Sequence, residues 1–375
     1  MWAKTHPKAM ATSFWSEPVR LENERRLCGK VGIGMAIVSE LYADTYGSHI
    51  SKHSERLQLI KANQTLVQAP LMHLKSVIIA SKGVSISADA IEACCECGIP
   101  IFFVDKLGNH YASLYAAGLG GTVLTRRAQL AAYEDGRGAH ISLAIAAAKI
   151  NNQAATLKYI AKSRKESDPE MYERLQAAAL EVNQQARHLE SLHGTALEEI
   201  RDALMGYEGL AATHYWEMLR LVVPDDYGWT AREKRGATDP INSLLNYGYG
   251  MLRKQVERAL VFAGLDPFAG FLHADRPGKP SLTLDLMEEF RSVAVDRLVI
   301  GLATRHFTIK MTEEGQLEDD VRRAFAEKIK LHLLATVRYE GERFPIELII
   351  QRQARKLAAH LRGEQDVYLP YRAVW

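Results

Sequence analysis

Between Phe271 and Arg291 the chain reads Phe-Leu-His-Ala-Asp-Arg-Pro-Gly-Lys-Pro-Ser-Leu-Thr-Leu-Asp-Leu-Met-Glu-Glu-Phe-Arg. This segment holds an imidazole (His273), a cationic loop (Arg276, Lys279) and the carboxylates Asp285, Glu288 and Glu289. Pro277, Gly278 and Pro280 must break any preceding helix, because proline lacks an N–H and has a fixed φ. Ser281 then reads as the N-cap of a new helix. That helix puts Leu282, Leu286, Phe290 and Val293 on one apolar stripe and sets Asp285, Glu288 and Glu289 side by side on another face. A helix start flanked by Arg276 and Lys279 suits a phosphate. The carboxylates and His273 suit a hard metal ion. A polyanion and a metal together point to phosphodiester chemistry. The same residues also fit a plain acidic helix start that complements the helix dipole.

Two further segments carry polar groups where a core is expected. In Gly206-Tyr-Glu-Gly-Leu-Ala-Ala212, Glu208 reads as lying at a helix start, with small residues beside it that admit a ligand or another backbone. In Thr238-Asp-Pro-Ile-Asn-Ser-Leu-Leu-Asn-Tyr-Gly-Tyr249, Asp239 and Pro240 read as N-cap and first helical residue. Asn242, Asn246, Tyr247 and Tyr249 lie on that otherwise apolar helix. They reach either phosphates and site carboxylates or unsatisfied backbone. Tyr215 and Trp216 read as core rather than as a base-stacking platform. Cys94, Cys95 and Cys97 lack zinc spacing and a nearby histidine. With Ile91 and Gly98, Cys94 and Cys95 read instead as a buried helix stripe.

The totals bound the class. The 375 residues suffice for two domains, and 47% hydrophobic with 25% charged residues describe a globular protein. No apolar run crosses a bilayer, so no membrane role is expected. One of the most apolar windows, Ile141 to Ile150, is interrupted by Ser142 and Lys149. The start has no secretory core, and free thiols fit a reducing compartment, so the cytoplasm is expected. A net charge of +2 excludes a globally basic protein. Nucleic-acid binding must then use local clusters such as Arg126-Arg127, Lys158–Lys165, Arg232–Arg235, Arg253–Arg258 and Arg352–Arg362, each of which also suits a solvated helix face.

The elements that must position these residues change texture along the chain. Residues 1–39 form an N-terminal extension of uncertain kind, with Met35 an eligible native start. Residues 40–117 read as a β-rich domain of one helix and five or six strands: Leu41–Tyr46, Arg56–Lys61, Leu66–Val67, Val77–Ala80, Ile101–Val104 and Tyr111–Tyr115. Its helix starts at Ser87 and ends at Gly98. Residues 118–124, with Gly118-Leu-Gly-Gly121, read as a linker; without Lys-Ser/Thr they are no P-loop. Residues 125–375 read as helical almost throughout: Thr122–Glu134, Ala139–Lys165, Pro169–Arg187 and on toward Met205, Gly209–Val222 after a break at Gly206, Pro240–Ala263, Ser281–His306, Leu317–Ala335 and Ile346–Leu361. The tail from Gly363 reads as a surface strap. The fold class is two-domain α+β, a small N-terminal β-rich domain followed by a larger all-α catalytic domain.

In order, Glu-Gly-x-Ala-Ala from Glu208, Asp-Pro-x-Asn-x-Leu-Leu-Asn-Tyr-Gly-Tyr from Asp239, and His-x-x-x-x-Gly-Lys-x-Ser-Leu-x-Leu-Asp-Leu-x-Glu-Glu-x-Arg from His273 resemble the CRISPR-associated adaptation integrase, the first-numbered Cas protein. Leu41-Tyr42, Val84-Ser85-Ile86-Ser87 and Gly98-Ile99-Pro100-Ile101 extend the resemblance through the β-rich part, from about Met35 to the C-terminus. It implies catalytic metal ligands at Glu208, His273 and Glu288, with Asp285 and Asn242 supporting. It implies DNA contacts at Arg276, Lys279, Arg291, Arg235 and Tyr247. Two carboxylates and an imidazole without thiolate favour Mg²⁺ or Mn²⁺. The implied activity is metal-dependent joining of short DNA duplexes into a CRISPR repeat array, with endonuclease activity. The implied assembly is a homodimer through the β-rich domain, with a small ferredoxin-like partner, the second-numbered Cas protein. Two rivals stay open on the residues alone: a stand-alone metal-dependent DNase, and a non-catalytic DNA-binding scaffold.

Overall fold

In the computed structural model, residues 40–105, 110–115, 123–192, 197–234, 236–274 and 276–375 are described. The extension 1–39, most of the glycine-rich linker and Arg235 lie outside them. The described residues belong to a single compact unit.

The first part is β-rich, as expected. Its elements are β1 (Glu40–Ala43), β2 (His49–His53), β3 (Arg56–Lys61), β4 (Gln64–Pro70), β5 (Ser76–Ile79), β6 (Ser85–Ile86), α1 (Ala88–Glu96), β7 (Ile101–Val104) and β8 (His110–Leu114). They form two four-stranded sheets, ordered β1-β5-β7-β8 and β4-β3-β2-β6. β2 is an addition to the expected strands. The polar run around Ser48 hides it, because Ile50 alone supplies its buried apolar anchor. The inner strand β5 is buried along its whole length, which suits a strand flanked by parallel neighbours on both edges. In α1 the buried stripe is Ala90, Ala93 and Cys94, whereas Cys95 is half-buried and Cys97 exposed. Burial pushes the Cys94 thiol up to about 12, as befits a structural cysteine.

The second part is mostly helical: α2 (Val123–Glu134), α3 (Arg137–Lys162), α4 (Pro169–Glu190), α5 (Leu197–Val222), α6 (Pro240–Phe262), α7 (Ser281–Glu288), α8 (Arg297–Ala303) and α9 (Asp319–Leu334). A hairpin, β9 (Thr336–Tyr339) and β10 (Glu342–Pro345), precedes α10 (Ile346–Leu361). The hairpin corrects the all-helical reading. Its turn places Glu340 and Gly341 at positive φ, the geometry of a two-residue β-turn. A second correction concerns α5, which runs unbroken through Gly206 and Gly209. Each glycine costs a helix about 1 kcal/mol, but α5 recovers this by burying Leu204, Ala211, Tyr215 and Leu219 in the main core. Glu208 therefore sits in mid-helix.

α3 is the central helix of this part. It is buried on nearly all sides by Ile141, Ile145, Ile150, Leu157 and several alanines, as a helix enclosed by its neighbours must be. Separate apolar clusters fill the β-rich and helical parts. Polar contacts cross between them, with Ser113 and Tyr115 donating to Glu257 at 2.9 and 3.2 Å, and Lys75 pairing with Glu347 at 2.5 Å.

The C-terminal tail is a strap with buried anchors. Tyr368 and Tyr371 are almost wholly enclosed, and the Tyr371 ring stacks on Phe290 at 5.4 Å. The Tyr368 hydroxyl and Tyr371 N–H donate to the two oxygens of Glu289 at 2.5 and 2.8 Å. Asn152 donates to the carbonyls of Glu289 and Tyr371 and accepts from Ala373 N–H. Burial pushes the Glu289 carboxyl up to about 7 against these donors. A folded value above the ordinary carboxylate value means stability that is complete below about pH 4.5 and is lost as pH rises through 7. Replacing Glu289 by Gln is expected to flatten that loss, which is on the order of 3 kcal/mol for this group. Denaturant unfolding of both proteins at pH 5 and pH 7.5 measures it.

Candidate metal and phosphate site

A cleft of about 1570 Å³ opens over α3, α5, α6 and α7, and Lys149, Glu208, His273, Lys279 and Glu288 face it. α5 presents Glu208 and α7 presents Glu288. Residue 273 arrives on the loop after α6, which packs tightly against the start of α7. At Gly270 an added Cβ would lie 2.6 Å from the Ser281 carbonyl carbon, so only glycine admits that approach.

The loop is held by Asp285. This carboxylate is fully buried and accepts N–H bonds from Phe271 (2.6 Å), Leu272 (3.0 Å) and His273 (3.0 Å). His273 Nδ1 stands 2.7 Å from Asp285 Oδ1. A carboxylate at Nδ1 fixes the proton there and leaves the Nε2 lone pair facing the cleft, the arrangement that orients a metal-binding imidazole. Nε2 lies 3.9 Å from Glu288 Oε1.

The two glutamates are bridged by a residue sequence reasoning passed over. Lys149 Nζ is 2.6 Å from Glu208 Oε1 and 2.8 Å from Glu288 Oε2. Arg291 Nε donates to Glu288 Oε1 at 2.9 Å and its guanidinium lies over the Tyr249 ring at 4.8 Å. Burial opposes ionisation of Glu288, but Arg291 and Lys149 hold its carboxyl well below the usual range. Burial likewise opposes the Lys149 charge, and Glu288 and Glu208 outweigh it and raise that ammonium's pKa. The signal for Lys149 was present: it is the charged interruption in the apolar window from Ile141 to Ile150.

Two oxygen donors converging on one cation, beside an imidazole nitrogen aimed into the same cleft, fit a hard divalent ion. Among the described residues no three such side chains already stand around a common point, and Lys149 Nζ lies between the two carboxylates.

The remaining expected residues divide. α7 begins at Ser281, but Pro280 holds the cap position and the Ser281 hydroxyl donates to the Ala274 carbonyl at 3.4 Å. Pro280 has a helix-compatible φ of −78° but a ψ of 79°, so it stands outside the helix and the cap lies one residue earlier than expected. The helix expected to reach His306 stops at Glu288; a wider-wound segment, Arg291–Asp296, follows before α8. The three acids do not form one face. Asp285 turns to the loop, Glu288 to the cleft and Glu289 to the tail. Asp239 caps α6 as expected, accepting from Asn242 N–H at 2.8 Å. Asn242 does not reach the glutamates; its side chain bonds Ala231, Arg232, Glu233 and Asp239 and pins the segment before α6. Tyr247 is buried against Phe325. Arg291 is committed to Glu288. Arg276 is exposed, and Lys279 Nζ lies 3.5 Å from the Ala274 carbonyl. Arg232, Lys234 and Arg253 add positive charge to the cleft wall. Also missed was Asp296, which accepts from Tyr215 (3.0 Å) and Tyr249 beneath the cleft. Burial pushes it up to about 6.

Residues 41–330 match the family described as CRISPR associated protein Cas1. A relative from Archaeoglobus fulgidus, named CRISPR-associated endonuclease Cas1 1, is 35% identical over 336 residues, covering 87% of this chain and 97% of its own. Among solved structures, a casposase bound to integration product superposes with a TM-score of 0.73 at 22% identity, over 88% of this chain and 93% of that one. A chain of a Cas6-RT-Cas1–Cas2 complex superposes with a TM-score of 0.70 at 20% identity, over 92% of this chain and 37% of that one. No helix among the described residues is long and apolar enough to cross a membrane.

Asp285→Ala is expected to be the most damaging change at this site for stability. It strands three buried N–H groups at roughly 1–3 kcal/mol each, whereas His273→Ala strands one carboxylate oxygen that keeps its backbone donors. Thermal unfolding of the two variants checks the order: Asp285→Ala should melt several degrees below His273→Ala.

Proposed function

The chain belongs to the Cas1 family of CRISPR-associated proteins, and from that membership we propose that it is a metal-dependent integrase, joining the 3′-OH ends of short DNA duplexes into a CRISPR repeat array. The observation that carries the proposal is the convergence of Glu208 and Glu288 on one cation beside His273 Nε2. In this reading these three residues hold Mg²⁺ or Mn²⁺. When bound, such an ion polarises a phosphoryl oxygen and acidifies the attacking hydroxyl.

The protein's own residues do the rest. Asp285 fixes the imidazole and the loop. Arg291 steadies Glu288 rather than serving as a free phosphate contact. Lys279, Arg276 and Arg235 bind the DNA backbone, with Arg232 and Lys234 extending that surface. Tyr247 supports α6 from within. The 3′-oxygen of one strand forms a bond to phosphorus while the repeat strand's 3′-oxygen leaves with a proton, so no bond is hydrolysed. Water in place of the 3′-OH gives the endonuclease activity by which curated relatives are named.

The β-rich region, residues 40–117, is proposed as the homodimerisation domain, separated by residues 118–124 from the helical catalytic domain, 125–375. The partner proposed is the small ferredoxin-like Cas2, and the setting the cytoplasm. Separate apolar clusters in the two parts support the division.

Incubation with a 3′-OH-bearing duplex and a repeat-containing plasmid in Mn²⁺ is expected to yield branched, joined product. Glu208→Ala, His273→Ala and Glu288→Ala should each reduce it about a hundredfold or more. Cleavage without joined product would favour the stand-alone DNase. Duplex binding with neither reaction in any metal would favour the scaffold. Duplex affinity should also fall by ~10³–10⁵ between about 50 and 200 mM salt if roughly 6–10 phosphates are contacted.

A further inference from the structure

We propose that Lys149 is the resident counter-cation of the Glu208–Glu288 pair: it holds the two carboxylates together before a metal ion arrives, and the metal must displace it. The inference rests on the reading of Glu208, His273 and Glu288 as the ligand set.

The placement of Lys149 is costly and therefore specific. α3 is enclosed by apolar neighbours, and a lysine in its middle loses much of its hydration. Its ammonium is compensated by carboxylates from two other helices, α5 and α7, with side-chain exposures of 15% for Lys149, 14% for Glu208 and 4% for Glu288. Without Lys149, Arg291 would remain on Glu288, but Glu208 would have no cation within contact distance among the described residues.

Ammonium and metal exclude each other at this point. A magnesium-sized ion held between the two carboxylates needs their oxygens at about 2.0–2.1 Å, and the two oxygens that meet there, Glu208 Oε1 and Glu288 Oε2, stand 2.6 and 2.8 Å from Lys149 Nζ. Binding is then an exchange of one cation for another. The lysine stem is flexible enough to swing its head into the open cleft, which a guanidinium clamped in a planar fork would do less readily. The exchange weakens metal affinity by the strength of the lysine contacts, and it keeps the glutamates positioned in the metal-free protein.

The test is calorimetric titration of the full chain, stripped of metal, with Mn²⁺ alone, paired with thermal unfolding with and without Mn²⁺. Lys149→Gln should bind Mn²⁺ about tenfold or more tightly than the unaltered protein, because a like charge and a competitor are both removed. Its metal-free form should melt several degrees lower, and Mn²⁺ should raise its melting temperature more than it raises that of the unaltered protein. A Lys149→Gln chain that folds only with Mn²⁺ present would be the same exchange in its extreme form. Lys149→Arg, which keeps the charge, should stay within about threefold of the unaltered affinity. Unchanged or weaker Mn²⁺ binding by Lys149→Gln, or equal tightening by Lys149→Arg, would overturn the inference. Glu208→Gln separates the two levels: if it binds Mn²⁺ as well as the unaltered protein, the ligand assignment itself fails.

Discussion

Two glutamates on different helices point into the same cleft, with positive charge between them. Glu208 and Glu288 are the fixed quantities here; the ammonium of Lys149 and the guanidinium of Arg291 are what make their approach tolerable. Much of the helical part follows from this requirement. α3 must run through the centre to bring Lys149 under both carboxylates. α5 must stay helical through Gly206 and Gly209 to carry Glu208 at the right height. α7 must begin abruptly after a proline-rich loop so that Glu288 lies one turn beyond Asp285. A buried ion network is a poor source of net stability. Its presence in an otherwise apolar interior is better understood as a site than as a support.

The network is made rigid by neighbours that never enter it. Asp285 spends four contacts on the loop and the imidazole, so His273 is oriented from behind by a carboxylate that is itself fully bonded. Asn242 ties down the segment carrying Arg232, and Arg232 in turn bonds Asn246 and covers the Trp216 and Tyr249 rings. Tyr249 also carries Arg291 on its face and donates to Asp296. The cationic wall and the acidic floor of the cleft are thereby linked through hydrogen bonds and cation–π contacts on Tyr249, so their charges are preset rather than carried by loose side chains.

How much of this was legible in the sequence depended on whether a residue's role was local. Asp239 and Pro240 announce a helix start, Ile101–Val104 a buried strand, and the 282/286/290/293 stripe a core face, because each follows from spacing alone. The proximity of Glu208, His273 and Glu288 depends on three distant segments meeting, which spacing cannot report; only the motif resemblance grouped them in advance. What stayed hidden was set by tertiary contact. Packing against the main core overrode two glycines in α5. The hairpin before α10 was masked by charged residues at its exposed positions. Lys149 was visible only as an interruption in an apolar run, and its meaning required knowing that α5 and α7 flank α3.

The end of α7 shows why adjacent acids cannot be read as one patch. In an ideal helix Asp285 and Glu289 would share a face, with Glu288 a short rotation away. The chain instead leaves the helix at Glu289, and Phe290, at φ −115°, opens into the wider-wound stretch Arg291–Asp296. Such widened turns concentrate at functional sites because they shift the side-chain register without ending the helix. Here the shift returns Arg291 onto Glu288 and drops Asp296 below Tyr249, while Glu289 is directed away to meet Tyr368 and Tyr371 of the tail. The backbone between Glu288 and Arg291 is thus gripped from the far side by the strap, through Glu289, Asn152 and the Phe290–Tyr371 stack. Glu288, at the terminus of an eight-residue helix, would otherwise sit on its most easily frayed turn. The strap supplies what the short helix lacks, so the far C-terminus of the chain belongs to the site although none of its residues faces the cleft.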